Sequence, residues 1–153
     1  MFKEYLEKNI MEGMGRCSDM IWISFGKELL IMNYKNQEVK KSEYEFHIQC
    51  PFRISKNNKV ILGNYDIYTL LDDSISDDWD VIGNNRYDKI VNEILLPMLP
   101  IKVNKVNYSK IGDIEILLED NIVINIFVNS SDLDEEWRFI NNHTGNHYVF
   151  REE

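Results

Sequence analysis

Cysteine, proline and glycine are scarce, with two, three and seven copies in 153 residues. The cysteines, Cys17 and Cys50, are too few for a disulfide framework, and both read as reduced thiols. No stretch approaches the roughly 20 apolar residues that span a bilayer, which argues against a membrane protein. The opening MFKEYLEKNIMEG has charges every few residues and no apolar h-region, so it reads as neither signal peptide nor anchor, and a reducing cytosol is the expected compartment. Basic residues are also in deficit, 17 against 26 acidic, for a formal net charge of -9. Such a field repels phosphate backbones, which argues against a nucleic-acid ligand, and attracts cationic partners. There is no glycine-rich phosphate loop, nucleophile elbow or zinc motif, so neither an enzyme nor a bound cofactor is expected.

What is present is globular: 44% hydrophobic, 28% charged and 12% aromatic residues, with no repeat, low-complexity run or linker. The length fits one domain, residues 1–153. The most informative stretch is Tyr44 to Arg53, YEFHIQCPFR. Period-two alternation sends Tyr44, Phe46, Ile48 and Cys50 to one strand face and Glu45, His47 and Gln49 to the other. Pro51 then breaks the ladder.

Along the rest of the chain, Phe2, Tyr5, Leu6 and Ile10 have the spacing of a short amphipathic helix ended by Gly13 and Gly15. Met20 to Phe25 reads as a strand closed by Gly26, Leu29 to Ile31 as a weaker second strand, and residues 33–42 as a polar loop. Phe52 to Ile54 and Val60 to Leu62 flank a turn, and Tyr65 to Tyr68 reads as the strand resuming after Gly63. Tyr87, Ile90, Val91, Ile94, Leu95 and Met98 predict the clearest helix, with Asn84 or Asn85 as N-cap. Residues 101–108 alternate imperfectly and call for a bulge. Ile114 to Leu118 and Ile122 to Val128 form a hairpin, and Glu136 to Ile140 and His147 to Phe150 a last pair. The expected fold is α+β: one mainly antiparallel sheet of about seven or eight strands, an N-terminal helix, and one central amphipathic helix packed on the apolar face.

Four segments resemble a family of small bacterial proteins of unknown function: Arg16 to Asp19 (RCSD), His47 to Arg53 (HIQCPFR), Gly63 to Tyr68 (GNYDIY) and Glu135 to Arg138 (EEWR). The resemblance implies a shared domain and carries no activity. Some families of similarly small, acidic bacterial proteins are immunity proteins against toxins, which leaves that role open.

Two candidate sites emerge. One is a polar set, Arg16, Asp19, His47, Gln49, Arg53, Asp66, Glu136 and Arg138, in which arginine forks and a histidine could hold a small anionic ligand; structural ion pairs are the competing reading. The other is the acidic run Asp72, Asp73, Asp77, Asp78, Trp79 and Asp80, suited to a basic protein partner, with a hydrated loop carrying Trp79 on the core as the competing reading. His143 and His147 have helical metal-pair spacing, but the turn between them and the lack of further ligands argue against a metal. Nothing in the sequence specifies the oligomeric state.

Overall fold

The computed structural model describes residues 2–150. One short helix opens the chain, α1 (Lys3–Leu6), followed by β1 (Ile10–Cys17), β2 (Met20–Met32), β3 (Glu38–Ile48), β4 (Phe52–Lys56) and β5 (Lys59–Gly63). A helical segment starts as α2 (Arg86–Ile90), widens into a π-type turn over Val91–Leu95 and tightens over Leu96–Met98. Five strands complete the chain: β6 (Ile101–Tyr108), β7 (Ile114–Leu118), β8 (Ile122–Ile126), β9 (Trp137–Asn141) and β10 (Asn146–Phe150). All ten strands join one antiparallel sheet in the order β10-β9-β3-β2-β1-β6-β7-β8-β4-β5. The α+β class stands, and the described residues form ten strands rather than seven or eight.

The sheet has a narrow waist. β1 meets β6 through only two residue pairs, Ile10 with Lys102 and Met11 with Ile101. β3 passes into β4 across the bend at Gln49 to Pro51, so the same chain serves both halves. The halves close on a single core. Phe2 sits edge-on to Phe46 and Trp137 of one half and Tyr108 of the other, at 5.4, 5.5 and 5.6 Å between ring centres. The Trp137 indole N–H donates to the Gly112 carbonyl at 2.9 Å, between β6 and β7. Phe46 and Ile48 are buried, as the alternation in YEFHIQC predicts.

Several local expectations change for identifiable reasons. The opening helix stops at Leu6: Lys8 takes φ 71°, its N–H bonds the Val103 carbonyl, and the chain becomes a strand. Gly13 and Gly15 therefore lie inside β1, where the Ser24 hydroxyl, for Gly13, and the Trp22 indole, for Gly15, occupy the space a side chain would fill. Gly26 does not end its strand; at φ 84° it carries a bulge, and β2 runs on to Met32. Only 33–37 turns, because Glu38 to Ser42 pair with Glu28 to Met32. Tyr65 to Tyr68 form no strand, since the Asp66 carboxylate accepts the Gly63 N–H at 2.9 Å and starts a 3-10 turn over Asn64–Ile67. The central helix is present, but its π-type turn shifts the buried face to Tyr87, Val91 and Leu95 and leaves Ile94 46% exposed. The β6 bulge, the β7–β8 hairpin and the β9–β10 pair lie where the sequence puts them.

Candidate functional site

Cross-strand register decides which polar residues can meet, because directly paired residues share a face. Arg16, Ile21, Ile48, Trp137 and Phe150 form one row on the inner face. Gly15, Trp22, His47, Arg138 and Val149 form the adjacent row on the outer face. Arg16 and the His47 and Arg138 pair are thus on opposite sides of the sheet. The polar candidates make separate clusters, not one pocket.

The inner cluster is built around Arg16, whose side chain is 1% exposed. Its Nε and Nη2 donate to the two Asp88 carboxylate oxygens at 2.8 Å each, a bidentate fork. Nη1 reaches Asp80 Oδ1 and the Ser18 carbonyl at 3.0 Å each, and Nη2 the Asp80 carbonyl at 3.2 Å. The bonds to Asp88 hold the guanidinium pKa above its ordinary value against the opposing pull of burial. At Asp88, burial pushes the carboxyl pKa up, but the Arg16 fork and the Gly83 N–H outweigh it and keep the pKa below the usual range. With these donors engaged, Arg16 is a clamp on the acidic loop and has little left for a ligand.

The loop is fastened from below by two buried asparagines. Asn84 Nδ2 donates to the Ser76 and Asp78 carbonyls at 2.8 and 2.9 Å, and its Oδ1 accepts the Ile75 N–H at 2.8 Å. Asn85 caps α2 by accepting the Asp88 N–H, while its Nδ2 donates to the carbonyls of Ile67 and Trp79. Trp79 is half-buried and edge-on to Tyr68 at 4.9 Å, and the Tyr68 hydroxyl donates to Asp19 at 3.1 Å. Asp72, Asp73, Asp77 and Asp78 remain exposed, as does Asp80, although its carboxylate is tied to Arg16. Ile75 and Ile82 stand in solvent at 85% and 71% exposure. Leu71, Asp73, Gly83, Asp88, Lys89 and Glu93 line a shallow cleft of about 240 Å³ beside the loop.

The outer cluster is self-paired. Arg138 forks onto Glu135 at 2.9 and 2.7 Å and donates to His147 Nδ1 at 3.0 Å. His47 lies 3.8 Å from Glu45; burial pushes its pKa down, Glu45 pulls it up, and Arg138 and His147 push it further down. His143 contacts Glu43 at 3.0 Å rather than His147. Among the described residues, no group of three or more His, Cys, Asp or Glu could hold a metal ion.

The remaining polar candidates are dispersed. Arg53 stacks over Phe127 at 5.0 Å and bonds Asn125, Asp66 pairs with Arg86 at 3.5 Å, and Gln49 is exposed. Glu136 is buried with Oε1 unpartnered, and its carbonyl accepts the Gln49 and Cys50 N–H groups. Burial and the neighbouring Glu136 push the Cys50 thiol up to about 12, so Cys50 is an inert core group.

Asp88, the partner of Arg16, is absent from both candidate sets drawn from the sequence. Its signal was an Asn-x-x-Asp pattern opening a helix, a relative of the capping box. Segments 16–19, 47–53, 63–68 and 135–138 are joined in space. Tyr68 bonds Asp19, Arg53 pairs with Gly63, and Gln49 and Cys50 bond Glu136. Comparison with known proteins finds no matching family model, no matching curated protein and no matching solved structure.

Proposed function

We propose that this protein is a non-enzymatic interaction module of the cytosol that binds a basic protein partner through the loop at 72–82. The observation that supports this reading is the contrast within the loop: Arg16, Asn84, Asn85 and Asp88 hold its backbone from inside, while Asp72, Asp73, Asp77, Asp78, Ile75 and Ile82 face outward. A loop ordered before binding loses little further entropy on association. Four exposed carboxylates accelerate encounter with a cation, and the two isoleucines supply apolar contact once it arrives. The surplus of acid over base extends that field and disfavours nucleic acid. An immunity protein against a cationic toxin would use such a surface, and a toxin-like reading frame beside this one would identify the partner class.

The test replaces Asp72, Asp73, Asp77 and Asp78 together by asparagine and leaves Asp80 in place, since Asp80 belongs to the clamp. Capture of the partner should weaken at least about tenfold at low salt, and its salt dependence should flatten. Unchanged capture and unchanged salt dependence would reject the acidic loop as the binding surface.

A further inference from the structure

Beyond Gly26 the hairpin of β2 and β3 leaves the sheet. β1 stops pairing with β2 at Phe25, and β9 pairs with β3 only from Tyr44 to Ile48. Among the described residues, Glu28 to Met32 and Glu38 to Ser42 pair as strands only with each other, in a two-stranded ribbon closed by the turn at 33–37. Leu30 is 64% and Met32 58% exposed, Tyr34 at the tip is 90% exposed, and Leu29, Ile31 and Val39 are half-buried. An isolated two-stranded ribbon is marginal in water and gains by acquiring further strands.

The two free edges of the ribbon differ. The β3 edge reads Glu38-Val39-Lys40-Lys41-Ser42, with two lysines in the middle, the usual protection of an open edge. Antiparallel pairing of that edge with itself about Lys40 would set lysine against lysine. The β2 edge reads Glu28-Leu29-Leu30-Ile31-Met32, with one charge at its start and neither proline nor lysine. Paired with itself about Leu30, it sets Leu30 against Leu30, Leu29 against Ile31 and Glu28 against Met32, with no like charges opposed. Self-pairing is thus blocked on one edge and open on the other.

We infer that this chain forms a two-fold dimer in which the β2 edges of two ribbons, residues 28–32, pair antiparallel about Leu30 into a four-stranded arm. This interface is separate from the acidic loop and leaves that loop free for the partner. It closes as a dimer because the axis passes through the edge itself.

Sedimentation of the full chain should show a concentration-dependent dimer. Leu30→Lys should raise its dissociation constant at least tenfold without changing the far-UV circular dichroism. In a Cys17→Ser background with added oxidant, Leu30→Cys should give a disulfide-linked dimer, since either antiparallel pairing geometry brings the Cα atoms within disulfide range. Lys40→Cys on the guarded edge should not. A chain that stays monomeric throughout, a dimer indifferent to Leu30→Lys, or cross-linking through Lys40→Cys in preference would overturn the inference. Replacing Asp72, Asp73, Asp77 and Asp78 by asparagine should leave the dimer intact; loss of the dimer there would assign self-association to the acidic loop instead.

Discussion

The acidic loop and the β2–β3 ribbon exchange the properties their secondary structure suggests. The loop at 71–85 has almost no regular structure, yet two buried asparagines, Asp88 and the Arg16 guanidinium, which donates to the Asp80 carbonyl, bond its backbone from inside. The ribbon is regular β-structure, but among the described residues no third strand reaches it, and Leu30, Met32 and Tyr34 stand in water while Leu29, Ile31 and Val39 are only half-buried. Rigidity follows from buried, satisfied side-chain bonds, and regular backbone without cover does not supply it. An ordered acidic loop suits a partner that arrives by electrostatic steering. An uncovered ribbon suits one that supplies strands.

The largest effect should come from cutting the clamp. Arg16→Met leaves the Asp88 carboxylate buried without its fork and should lower unfolding stability by about 3–5 kcal/mol, measured by denaturant titration. The double variant Arg16→Met with Asp88→Leu should regain most of that loss, because neither charge is then stranded. A loss below about 1 kcal/mol for the single variant would remove the contrast between the regions.

Asn85→Ala should come next, at about 2 kcal/mol, since it removes a helix cap and orphans the Ile67 and Trp79 carbonyls. Acid should act on the same lock. Asp88 has a folded pKa below its ordinary value of 3.8, so its contribution is complete above that value and lost as pH falls through the lower folded one. Stability of Asp88→Asn should therefore be less acid-dependent in that window than stability of the native chain.

His47 acts at a milder pH. Its folded pKa lies below 6.5, so the native state binds its proton less readily than the unfolded chain and loses stability as pH drops through 6.5 toward the folded value. His47→Gln should flatten that part of the stability profile. The smallest effect should be in the ribbon, where Leu30→Lys should change the stability of the monomer by less than about 0.5 kcal/mol.

The sequence carried the parts of the fold that rest on local period. YEFHIQC, the β7–β8 hairpin and the Tyr87 to Met98 helix keep an alternation or a helical spacing long enough to read, and the β6 bulge shows as a break in one. It misplaced elements whose partners are distant. Gly13 and Gly15 look like a helix stop, yet they leave room for Ser24 and Trp22 on the next strand. Residues 38–42 look like loop because their strand partner, 28–32, offers no buried face to impose alternation. At the candidate site the aspartates and Asn84 or Asn85 as helix cap were visible. The Arg16 to Asp88 fork spans 72 residues of sequence, and residue type alone groups Arg16 with His47 and Arg138, from which the sheet separates it.

Native-state amide hydrogen exchange on dilute protein compares the two regions most directly. The Ile75 and Gly83 amides, bonded to Asn84 and Asp88 side chains, should exchange slowly, with opening free energies well above those of the ribbon amides at 28–32. Ile75 and Gly83 exchanging as fast as the ribbon, or faster, would contradict a preformed acidic surface.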